Sequence, residues 1–92
     1  MIGSLEVECI IYDAHSLKEK RSVIKRVLVR ASQEYNVAVS ELDYQDLWQR
    51  TLLGFVTISS SKVSAEKELN RVLAFLDSFP EIEVTTNSFT WL

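Results

Sequence analysis

The sequence predicts an α+β domain with the element order βαββαβ. Three observations predict it. Two stretches carry an apolar residue every three or four positions, the spacing of a helix with one buried face. Around them lie runs rich in β-branched and aromatic residues, which suit strands. Two glycines and one proline in 92 residues leave little length for irregular loops. A chain this long builds one core, so a single domain over residues 1–92 is expected.

Residues 2–12 open the series. Leu5, Val7, Cys9 and Ile11 alternate with Glu6, Glu8 and Ile10, the period of a half-buried strand that turns Cys9 inward. Ser16-Leu17-Lys18-Glu19 is a capping box that starts the first helix. Leu17, Ile24, Val27, Leu28, Ala31 and Tyr35 form its apolar face, and Asn36 is expected to end it. Residues 37–41 and 51–59 read as the second and third strands, with Gly54 marking a bulge or a close backbone approach. The loop Ser-Ser-Ser-Lys at 59–62 supplies a cap for a second helix over about 62–79, with Leu69, Val72, Leu73, Leu76 and Phe79 inside and Pro80 as its stop. Residues 82–91 form the last strand, Ile82 and Val84 inward, with a break near 86–87. Two right-handed βαβ crossovers around a hairpin give a ferredoxin-like arrangement: a four-stranded antiparallel sheet with two helices on one face and the other face open.

Composition excludes several classes. One cysteine permits neither a disulfide framework nor a multi-thiolate metal site. No apolar run approaches a membrane span, and the N-terminus lacks the basic start of a signal peptide, so a cytoplasmic protein with no membrane partner is expected. Net charge is −3, but Lys18, Lys20, Arg21, Lys25, Arg26 and Arg30 stand against Glu19 alone. That segment carries +5, which leaves −8 for the rest.

Stepping 100° per residue puts Lys18, Arg21, Lys25, Arg26 and Arg30 opposite the apolar face of the first helix. Lys20 falls nearer the core, its stem along the domain and its amine in water. An outer face meant only for solvation mixes Glu with Lys for i,i+4 pairing, and this one scarcely does. The five cations are the candidate RNA-binding residues, contacting phosphates without regard to base, and a plain solvated helix face is the alternative. The segment Glu41–Arg50 is the second candidate. Tyr44, Trp48 and Arg50 are the residue types that anchor protein interfaces. The plainer alternative tucks Leu47 and Trp48 under the sheet edge and pairs Asp46 with Arg50. On the open face, Leu53, Phe55, Ile10 and Tyr12 read as a partly apolar surface for a homodimer or another protein, with Glu6 and Glu8 beside it repelling nucleic acid.

Chemistry-bearing residues are few. His15 stands alone, and with Asp13 it makes two metal ligands without a third. An acylphosphatase-like anion cradle after the first strand is disfavoured, because Tyr12–Ser16 has no glycine and carries an acid. No catalytic residue, metal or cofactor is implied.

Two strings carry a resemblance: His15-Ser16-Leu17-Lys18-Glu19-Lys20-Arg21, and Glu41-Leu42-Asp43-Tyr44-Gln45-Asp46-Leu47-Trp48-Gln49-Arg50 followed by Leu53-Gly54. Their order and spacing closely resemble the YlxP-like family of small bacterial proteins of unknown function. The resemblance implies a ferredoxin-like domain of about this length and supplies no catalytic residues. Genes of such proteins often lie beside those for translation-initiation and ribosome-maturation factors, which implies a non-enzymatic, ribosome-associated accessory protein. On that expectation the partners are ribosomal RNA or a ribosomal subunit. A protein-interaction or homodimerising module is the alternative, and a small-molecule sensor and an anion-binding hydrolase rank below it.

Overall fold

The computed structural model describes residues 1–92 and has the order β1 (Ile2–Ile10), α1 (Leu17–Glu34), β2 (Ala38–Asp43), β3 (Arg50–Ile58), α2 (Lys62–Ser78) and β4 (Glu83–Trp91). The strands lie in the spatial order β2-β3-β1-β4, with every neighbouring pair antiparallel. This is the ferredoxin-like α+β fold, with both helices on one face and the other face open. No helix is long and apolar enough to cross a membrane.

Both helix starts follow from their serines. Ser16 Oγ accepts the Glu19 amide at 3.1 Å, and the Glu19 carboxylate reaches back to the His15 amide at 2.7 Å. The box thus closes one residue earlier than the usual reciprocal pair, satisfying the Glu19 amide of the first turn and the His15 amide just before the N-cap. Ser61 caps α2 in the same way, accepting from the Ser64 amide. Tyr35 and Phe79 are the C-caps, and Pro80 follows the second of these.

The core lies between the sheet and the helices. Leu5, Val7 and Cys9 of β1 meet Leu53 and Phe55 of β3, and Val27 and Ala31 of α1 close over them with Leu69, Val72 and Leu76 of α2. Burial holds the Cys9 thiol up to about 12, so it stays a neutral, inert filler at physiological pH.

Leu53 and Phe55, expected on the open face, are fully buried. Phe55 pairs with Leu5 and Leu53 with Val7, so they share the inward phase of β1. The β3 run is apolar at both parities, and alternation alone does not decide which set turns in. Leu52, Val56 and Ile58 take the outer face instead. Gly54 lies there too, in regular register, and a Cβ on it would meet Leu42 Cδ1 at 2.6 Å. The close approach is therefore a side chain, and the bulge is across the ladder in β2, between Glu41 and Asp43. β4 runs unbroken, with a register shift opposite Glu8 and Cys9 where a break at 86–87 was expected.

Candidate functional site

α1 presents its cations in two groups. Arg26 is clamped by Glu81, its Nη1 and Nη2 donating at 2.5 and 2.7 Å, and Glu81 is held below the usual carboxylate range as a result. Arg30 lies 3.6 Å from Glu34, with its guanidinium 5.2 Å from the centre of the Phe75 ring. Both lean toward α2 and the loop that follows it. Lys18, Arg21 and Lys25 are exposed and make no ion pair. They lie three and four residues apart, so they form one stripe about 10 Å long at 1.5 Å rise per residue. The five-residue surface expected from the sequence is thus three free cations flanked by two engaged ones.

Lys20 departs from expectation. Its side chain is 0% exposed and its amine is away from water. Nζ donates to the Tyr44 carbonyl at 2.5 Å and lies 3.0 Å from a Glu41 carboxylate oxygen, which also accepts Thr51 Oγ1 at 2.6 Å. The reason is geometric: α1 packs over β2, so a residue between its apolar and polar faces points at the chain leaving β2. There a carbonyl and a carboxylate compensate the buried charge.

That contact shapes the 41–50 segment. Tyr44 has φ 63°, an uncommon conformation for a residue with a bulky side chain. Its carbonyl accepts from Lys20 and from the Leu47 amide, and its ring lies under the Arg50 guanidinium at 4.0 Å. Arg50 pairs with Glu8 at 2.9 Å, not with Asp46. Gln49, which the sequence did not single out, fastens the segment to the β1–α1 connection by donating to the Tyr12 and Ala14 carbonyls. A lone glutamine in a polar loop gives no signal of that role. Leu47 and Trp48 do not tuck under the sheet. Trp48 is 52% exposed, and with Leu47, Ile10, Tyr12, Glu8 and Arg50 it lines an open concavity of about 690 Å³ at one end of the open face.

The start of α1 borders another concavity, lined by Asp13, His15, Lys18, Glu19, Arg26 and Glu81 among others. The His15 amide, which an anion cradle would need, is taken by Glu19. No three His, Cys, Asp or Glu residues come together as metal ligands.

Fold and surface together define a small ferredoxin-like domain with a basic first helix, an open sheet face that mixes Glu6 and the Glu8–Arg50 pair with Leu52, Val56 and Ile58, and an aromatic loop. The chain belongs to the family described as "protein of unknown function (DUF503)", whose model matches residues 2–88. It is 62% identical over 91 residues to the uncharacterised protein YlxP of Bacillus subtilis (strain 168), covering 99% of each chain. Among solved structures it is similar to the de novo designed protein Foldit4, with a TM-score of 0.60 and 16% identity over 100% of this chain and 99% of that one. That likeness concerns the fold alone.

Proposed function

We propose that this protein is a non-enzymatic accessory of the translation machinery that contacts ribosomal RNA through the outer face of α1. The observation that carries the reading is the stripe of Lys18, Arg21 and Lys25, three exposed cations with no carboxylate partner in a chain of net charge −3. Cations already paired have less to gain from a phosphate, whereas free ones release its counterions in full. The open sheet is a poor RNA platform, since Glu6 lies without an ion pair on the inner strand β1, Arg50 is engaged by Glu8, and Phe55 is in the core. The gene neighbourhood implied by the family resemblance agrees with this role.

The test is binding to ribosomal subunits and to total RNA across a salt series. The Lys18/Arg21/Lys25→Ala variant should lose affinity and reduce the salt slope by about 2 to 3, as expected for three phosphate contacts. Arg26/Arg30→Ala should change the slope less, because those guanidiniums are occupied. An unchanged slope in the triple variant would overturn the reading. Absence of binding at low salt would favour the second reading, a protein-interaction module, which the exposed Trp48 concavity supports.

A further inference from the structure

We propose that two copies of this chain pair edge to edge through β4, joining their sheets into one of eight antiparallel strands. The inference is independent of the RNA reading. The sheet has two edges, and they are built differently. β2 is six residues long and carries Glu41 and Asp43, which discourage strand pairing; each edge strand has one bulge, and that of β4 is at Thr85, outside residues 87–91. β4 is nine residues long, and after Glu83 it contains no charge and no proline.

The backbone shows which groups are free. The Leu92 amide donates to the Ile2 carbonyl at 2.9 Å. In an antiparallel ladder the residues alternate, so Ser88 and Thr90 bond to β1 while the N–H and C=O of Asn87, Phe89 and Trp91 point out of the sheet. No side chain or turn meets those outward groups. On the helix side of this edge, Phe89 and Trp91 are only half-buried, and with Glu66 and Asn70 of α2 they line a concavity of about 300 Å³.

A second copy fits this edge. A two-fold axis through Phe89 sets Phe89 opposite itself and Asn87 opposite Trp91, each pair exchanging both N–H···O bonds. Ser88 then faces Thr90 on the open side, a favourable hydroxyl pair, and the half-covered aromatics of the two copies meet on the helix side. Two-fold pairing sets a stretch against its own reverse, so a charge close to Phe89 would meet its own copy across the axis. This stretch has none. An isologous contact of this kind closes as a dimer and propagates no further.

Sedimentation equilibrium should give twice the 10.6 kDa chain mass. Ser88→Lys/Thr90→Lys places like charges opposite each other and should weaken the dimer about tenfold or more, whereas Ser88→Lys/Thr90→Glu should restore it. An equimolar oxidised mixture of Ser88→Cys and Thr90→Cys should form a disulfide-linked heterodimer, because that facing pair lies about 4.5 Å apart at Cα. Neither variant alone should do so. A parent that stays monomeric, a mass indifferent to both charge variants, or a mixture that does not cross-link would each overturn the proposal. An extended foreign peptide bound at β4 of a monomeric parent would assign the edge to another partner.

Discussion

Lys20 shows how one residue sets the local structure of the second candidate surface. Its ammonium is fully desolvated, and a buried ion is tolerated only while its partners stay in place. Lys20→Met leaves the Glu41 carboxylate without its cation, with only Thr51 Oγ1 donating to it, and removes one of the two donors to the Tyr44 carbonyl. It should cost about 3 kcal/mol in urea unfolding, the usual penalty for breaking one side of a buried pair. Glu41→Leu should likewise destabilise, and the double variant should be less destabilised than the sum of the two, because no orphan charge remains. A strictly additive cycle would mean that the pair does not interact. The same lysine holds Tyr44 at φ 63°, a conformation costing roughly 1–3 kcal/mol for a non-glycine residue. Hydrogen exchange at the Leu47 amide, which donates to the Tyr44 carbonyl, should therefore accelerate in Lys20→Met.

At the scale of elements, what was legible in the sequence was whatever a local rule decides. The capping box at Ser16, the Pro80 stop and the inward phase of Leu5, Val7 and Cys9 each depend on a few adjacent residues. What was not legible depends on partners distant in sequence. Arg26 and Glu81 are 55 residues apart, and nothing near Arg26 says that it is already engaged. Phe55 needed the β1–β3 register to settle its face. The turn between α1 and β2 is a third case. The Asn36 amide donates to Glu68 of α2 at 2.8 Å, its side chain donates to the Ile58 carbonyl, and its own carbonyl accepts Thr57 Oγ1. The Asn36 amide, aided by Arg71, lowers the Glu68 carboxyl below its ordinary 4.5. With the folded value depressed, the unfolded chain binds more protons, so stability rises with pH through this range. The contribution is fully present above about 4.5 and is lost as pH falls through the lower folded value. Thermal melts of Glu68→Gln should therefore show a smaller fall in Tm between neutral pH and pH 3 than the parent. An identical fall would mean that the carboxylate is not held by the turn.

At the scale of the whole molecule, the two proposed surfaces belong to different elements, and their combination has a consequence that neither has alone. A two-fold axis perpendicular to the joined sheet leaves both helical layers on the same side. α1 packs against β2, the strand farthest from β4, so the two basic stripes lie at opposite ends of the dimer. Eight strands at about 4.8 Å separation put the outer strands roughly 34 Å apart. An RNA surface longer than that span engages both stripes, and the second contact forms at the effective concentration set by the first. The parent should therefore bind a ribosomal subunit at least about tenfold more tightly than Ser88→Lys/Thr90→Lys. The two should differ little on an oligonucleotide too short to bridge the stripes. The added lysines favour RNA binding by themselves, so a loss of affinity on the subunit would be read against that bias. Equal affinities on both RNAs would separate dimerisation from RNA contact. Salt titration of the parent should show the complementary sign, a steeper slope on the subunit than on the short RNA, because two stripes release more counterions than one.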